Sequence, residues 1–107
     1  MSRLTLQNFM QSTLKKPRLT YTREKELFKK LQNGDNGAAQ ELVTSHLRFV
    51  LHIARLYKSH GDPLADLMQE GTVGLMEALK RFNPNQRARL SPYSMWWIRA
   101  AIQDSVI

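Results

Sequence analysis

The chain has 107 residues, no cysteine and a formal net charge of +7. This length supports one hydrophobic core without disulfides or metal, and the missing cysteine excludes disulfide, zinc-thiolate and thiol-nucleophile chemistry. Met1 to Met10 lacks the apolar run of a signal peptide and no stretch approaches a membrane span, so the expectation is a cytoplasmic protein without a membrane contact.

Charge is distributed unevenly. Residues 1–30 carry +6, residues 31–61 carry +1, residues 62–79 carry −4 with no positive side chain, and residues 80–107 carry +4. A polyanion suits the basic parts but is repelled by the acidic one, so two partners of different charge are the simpler reading.

The first twenty residues are basic and weakly patterned. Residues 22–33 are expected to form a short helix, with Thr22 as cap, Glu24 in the first turn and Gly34 beyond the end. A longer helix is expected from about Asn36 to Ser59, since Ala39, Leu42, Val43, Val50, Ile53, Ala54 and Tyr57 recur at helical spacing and Gly61 can stop it. Arg48, His52 and Arg55 share its opposite face, either a phosphate-binding strip or a solvated surface.

Asp62-Pro63 signals the next helix, running to about Phe82 before Asn-Pro-Asn. Leu64, Leu67, Met68, Gly71, Leu75, Ala78, Leu79 and Phe82 make its inner face. Gly71 and Gly74 each cost about 1 kcal/mol against alanine inside a helix, which points to close packing there. The outer face holds Asp66, Gln69, Glu70 and Glu77 around Val73, with Met76 at the margin. Apolar residues ringed by charge fit a protein contact, and an ordinary solvated face fits as well.

A turn carrying Arg87 and Arg89 leads to the last helix, with Ser91 as expected cap and Pro92 at the first helical position. At about 100° per residue, Met95, Ile98, Ile102 and Val106 form one apolar stripe. Tyr93, Trp96 and Trp97 gather roughly opposite it. Flat aromatic faces on a basic chain are suited to holding unstacked bases, whereas burial of the rings against a further helix is the structural alternative. No strand alternation competes, so the fold class is all-α, a compact bundle of about four main helices.

Catalytic chemistry has little support. His46, His52 and His60 do not form a metal spacing, and His46 falls toward the apolar side of its helix as a packed, hydrogen-bonded residue would. There is no phosphate-cradling glycine loop, nucleophile elbow or paired carboxylates in an obvious pocket. The chain reads as a non-enzyme without metal or cofactor.

Three runs then carry a family likeness. Ser45-His-Leu-Arg-Phe-Val-Leu-His-Ile-Ala-Arg55, Asp66-Leu-Met-Gln-Glu-Gly-Thr-Val-Gly-Leu-Met76 and Tyr93-Ser-Met-Trp-Trp-Ile-Arg99 resemble, in order and spacing, the conserved domain of bacterial sigma-70 family transcription initiation factors. The likeness is strong over residues 37–107, weaker over 4–33, and nearest the heat-shock (sigma-32) type. It implies a region 1.2-like segment over 1–34 and a region 2 domain over 35–107. A fragment is expected, because family members continue beyond this point.

The resemblance also implies partners. Asp66, Gln69, Glu70, Thr72 and Met76 match positions that bind core RNA polymerase, at the β′ subunit coiled-coil. Phe82, Leu90, Tyr93, Trp96 and Trp97 match the segment that captures a flipped adenine of the promoter minus-ten element from the non-template single strand. The basic side chains Arg87, Arg89 and Arg99 are candidates for phosphate contacts. By the same likeness His46 and Phe49 line a second base pocket, against the packed reading of His46, and Met10 approaches it. Ala100 and Gln103 stand where the housekeeping type has Gln and Thr facing the upstream edge of the element, so a different promoter sequence is expected. Leu90 replaces a common aromatic, and Pro92 is unusual before the tyrosine. The factor is expected to be monomeric when free. The competing reading is a helical repressor that binds duplex DNA without polymerase, by inserting one helix into the major groove.

Overall fold

Thr20 caps the helix over Tyr21–Gln32 in the computed structural model, which describes residues 15, 17–58 and 63–105. Its backbone is extended and its hydroxyl accepts from the Arg23 N–H at 3.1 Å, so α1 (Tyr21–Gln32) starts one residue before the expected Thr22, which lies inside the first turn. Side-chain acceptance by a cap satisfies one of the N–H groups that the helix itself leaves open. Gly34 ends the segment at φ 87°, a conformation glycine adopts without strain.

Asp35 caps α2 (Asn36–Ser45) through its carboxylate, which accepts from Gly37 and Ala38 N–H. The single helix expected from Asn36 to Ser59 is in fact two. The chain leaves helical geometry at His46 (φ −107°, ψ 3°) and resumes as α3 (Leu47–Leu56), which ends at Tyr57. Polar and β-branched residues just before the break favour it: the Thr44 hydroxyl turns back onto the Gln40 and Glu41 carbonyls, which competes with regular helix. After the break Leu47, Val50, Leu51, Ile53 and Ala54 are buried, and of these Leu51 lay off the expected stripe.

α4 (Leu64–Arg81) begins just after Pro63, and the expected caps at Asp62 and Gly61 lie outside the described residues. Its inner face matches expectation: Leu67, Met68, Gly71, Leu75, Ala78, Leu79 and Phe82 are buried and Leu64 half-buried. α4 touches α2, α3 and α5 and is the centre of the bundle. α5 (Leu90–Ser105) crosses it in the largest helix–helix contact of the molecule.

The glycines explain how close that contact is. A Cβ on Gly74 would run into the Trp97 carbonyl oxygen, and one on Gly71 would stand 2.7 Å from Val50 Cγ1. Backbone therefore lies against backbone between α4 and α5. Leu27 and Phe28 of α1 belong to the same apolar cluster as Leu42, Val50, Leu75, Ile98 and Ile102. Among the described residues there is no strand, and no helix is long and apolar enough to cross a membrane.

The start of α5 differs from expectation. Leu90 is already helical, so Ser91 and Pro92 lie within the first turn, where the missing proline N–H has no intrahelical partner to lose. The Leu90 N–H is bound instead by Glu24 Oε2 of α1 at 2.9 Å. A carboxylate from another helix thus does the capping that the sequence suggested for Ser91.

Candidate protein and nucleic-acid interfaces

One face of α4 is uncovered. Asp66, Gln69 and Glu70 are exposed there beside Val73 (60% exposed) and Met76 (49%). Their spacing of three and four residues stacks them along one side of the helix. Thr72 is half-buried and its hydroxyl donates to the Met68 carbonyl at 2.7 Å. Glu77, at the end of this face, is held by Arg81 at 3.0 Å and approached by Lys80. Two large apolar side chains bordered by carboxylates make this surface suited to a basic protein partner.

The rings of α5 differ in depth. Trp96 is 70% exposed and projects from the surface. Tyr93 and Trp97 are half-buried. The Tyr93 ring leans on Phe82, with centroids 5.4 Å apart, and Phe82 in turn leans on Phe28 at 5.1 Å. The Arg81 guanidinium lies over the Trp97 ring at 5.0 Å, a cation–π geometry. Trp96 projects away from the fully buried Ile98 and Ile102, whereas Tyr93 packs against the core cluster to which they belong, and Val106 lies outside the described residues. Phe82 and Leu90, matched to the same wall by the family likeness, are buried, Leu90 completely, and for Phe82 this is the inward position that the periodicity of α4 gave it. They support the wall from behind, because inward-facing positions in the turn and at the helix start fill the gap between α1, α4 and α5.

Arg87 and Arg99 are exposed. Arg89 is committed elsewhere: Nη2 donates to the Leu19 carbonyl at 2.7 Å, and Nε and Nη2 both reach Glu24 Oε1, at 3.3 and 3.2 Å. The guanidinium expected at a phosphate is thus engaged in internal contacts.

A basic groove of about 690 Å³ opens beside α5, with Arg18, His46, Arg48, Phe49, His52 and Arg89 among its walls. It brings His46 and Phe49 together, as the family likeness implied, and adds the basic strip of α3. His46 is also the packed residue that periodicity suggested. It is buried, and its Nδ1–H donates to the Leu42 carbonyl at 2.8 Å. Burial lowers its pKa from the ordinary value of 6.5, an effect only partly offset by the Leu42 carbonyl and Glu24, and the Arg89 charge lowers it further.

Sequence reasoning missed three residues here. Glu24 looked like an ordinary first-turn acid yet is 2% exposed and joins α1 to α5. Arg81 gave no signal beyond its place at the end of α4. Tyr57, taken as part of an apolar stripe, accepts hydrogen bonds at its hydroxyl from Arg99 Nε at 3.3 Å and Gln103 Nε2 at 3.0 Å. Met10 lies outside the described residues. Among the described residues no group of histidines and carboxylates is arranged to hold a metal ion.

Comparison with known proteins gives these surfaces a family. Residues 42–106 match the Sigma-70 region 2 family. The chain is 41% identical over 103 residues to the RNA polymerase sigma-C factor of Myxococcus xanthus, covering 96% of this chain and 35% of that protein. It is 49% identical over 76 residues to the RNA polymerase sigma factor RpoH of Rhizobium radiobacter, covering 71% of this chain and 25% of the relative. The RpoH factor of Caulobacter vibrioides is 47% identical over 76 residues, 71% of this chain and 26% of the relative. The chain thus spans about a quarter to a third of these relatives, and the two RpoH matches agree with the heat-shock likeness read from its motifs. With a matching region 2 over most of its length and relatives above 40% identity, this all-α chain belongs to the sigma-70 family of RNA polymerase sigma factors.

Proposed function

We propose that the chain acts as a non-enzymatic transcription initiation module, monomeric when free, that binds core RNA polymerase and captures melted promoter DNA. The acidic face of α4, with Asp66, Gln69, Glu70, Thr72 and Met76, takes the β′ coiled-coil. The rings Tyr93, Trp96 and Trp97 take a flipped base of the minus-ten element from the non-template strand. Phe82 and Leu90 brace those rings. Arg87 contacts phosphates, Arg99 reaches the DNA beside the rings, and His46 and Phe49 border a second base site in the basic groove. In this reading residues 35–107 form the region 2 unit, consistent with a family match that begins at residue 42, and residues 1–34 the preceding region 1.2-like segment.

The observation that carries this proposal is a pairing of opposite surfaces on two touching helices. The uncovered face of α4 is acidic with exposed Val73 and Met76, and α5 presents the exposed Trp96 beside half-buried Tyr93 and Trp97, with Arg99 exposed next to them. Stacking on aromatic side chains returns about 1–3 kcal/mol per base, against a few kcal/mol for extracting a base from duplex. Polymerase-bound rings are therefore suited to hold a base once the strand opens. A duplex repressor is disfavoured, since every relative named above is an RNA polymerase sigma factor.

The test is binding of the chain to purified bacterial core RNA polymerase beside the Glu70→Lys variant. Saturable binding that the variant loses is the expected result, because the substitution inverts charge at the centre of an exposed face without touching the core. Equal binding by both overturns the assignment of the acidic face.

A further inference from the structure

Tyr57 sits at the C-terminal end of α3, half-buried against the core, with its hydroxyl at the surface of α5. Two long side chains one helical turn apart, Arg99 and Gln103, both donate to that one oxygen. Both are exposed, as are Trp96 and Ala100, and these four residues follow the i, i+3, i+4, i+7 pattern of a single helix face. The face therefore begins with a projecting ring and continues, about 10 Å along the axis, to an amide whose orientation is fixed by another helix. Exposed Gln and Arg side chains ordinarily sample many rotamers, so tethering both to one buried-based phenol is an unusual investment for a solvated surface.

We infer that Tyr57 is a positioning residue that sets the base-pair preference of this face, by holding Gln103 and Arg99 ready to read the edge of duplex DNA next to the melted strand. The inference rests on the proposed function, in which Trp96 takes a base of the melted strand. Gln reads adenine through a paired donor and acceptor, and Arg reads guanine with two donors. Tyr57 uses the Gln103 amide nitrogen and the Arg99 Nε, so the Gln103 carbonyl oxygen, a second amide hydrogen and the terminal nitrogens of Arg99 take no part in that contact. Ala100, a methyl between them, lets the face approach base edges closely.

The experiment uses the chain bound to core RNA polymerase and fork-shaped DNA probes, in which a duplex leads into a non-template single strand. The two duplex base pairs next to the fork are varied through all combinations. Wild type, Tyr57→Phe, Gln103→Ala and the double variant are compared, since Tyr57→Phe removes only the hydroxyl and keeps the ring packing. We expect the wild type to separate best from worst base pair by about tenfold, in the range of one base-edge contact. Tyr57→Phe should reduce that ratio to about threefold or less while affinity for polymerase and for the single strand stays unchanged, and adding Gln103→Ala should change nothing more, because both act through one contact. Retained preference in Tyr57→Phe, or no wild-type preference at these base pairs, overturns the inference while the proposed function stands. Failure of the wild type to bind polymerase or any fork overturns both.

Discussion

The Glu24 carboxylate of α1 accepts the backbone N–H of Leu90 at 2.9 Å, across 66 residues of sequence. Its other oxygen accepts from Arg89, and His46 Nε2 lies 3.9 Å away. Negative charge at a helix N-terminus is favourable because the open N–H groups there carry partial positive charge. The aromatic helix is thus capped by the segment that precedes the main bundle.

Replacing Glu24 with Gln should therefore destabilise the fold by about 2 kcal/mol, the scale of losing buried hydrogen bonds to a charged group. Arg89→Met should cost less, because Arg89 is only half-buried and Leu90 keeps its cap. Urea midpoints of the two variants test the order, and a harmless Glu24→Gln would mean that the cap contributes little.

The glycines of α4 should rank in the opposite sense to their helix propensity. Alanine at either position gains about 1 kcal/mol locally. At Gly74 the added methyl meets the Trp97 backbone, which has no room to yield, and overpacking of this kind costs typically 1–3 kcal/mol. At Gly71 it meets the ends of the Val50, Ile98 and Ile102 side chains, which can shift. Thermal unfolding should place Gly74→Ala below Gly71→Ala, and equal midpoints would refute backbone contact as the reason for Gly74.

Trp96→Ala should leave stability within about 0.5 kcal/mol of wild type, as an exposed substitution normally does, while weakening single-strand capture by the roughly 1–3 kcal/mol of one stacked base. Fluorescence anisotropy of a labelled non-template strand on the polymerase-bound chain measures the second quantity. A fall in stability without a fall in capture would assign Trp96 to packing.

His46 gives the fold a pH dependence of definite sign. Its folded-state pKa lies below the ordinary 6.5, chiefly through burial. Below pH 6.5 the unfolded chain takes up a proton that the folded chain refuses, so stability falls as pH drops from neutrality toward the folded-state pKa. Urea midpoints at pH 7.5 and 5.5 should differ more for wild type than for His46→Gln. An equal slope in both would show that other groups govern the acid response.

Much of the molecule was legible in the residues. Residue periodicity gave the buried face of α4 almost completely, because eighteen residues of α4 repeat one pattern without a break. It also separated the exposed Trp96 from the buried Ile98 and Ile102. The interruption at His46 was hidden, since helical spacing on either side tolerates one non-helical residue without an obvious gap. The depth of Leu90 was hidden too, because burial at a helix start depends on what arrives from elsewhere, here α1 with Glu24. Charge partition located the acidic and basic surfaces, but not the diversion of Arg89 into an internal bond.

Where Gly74 meets Trp97, the separation between the two uncovered surfaces is set by the thickness of two peptide backbones. Side-chain rotamers, which relax and interchange, do not enter that distance. In the proposed function, occupants of the acidic face and of the ring face are accordingly held at a fixed gauge.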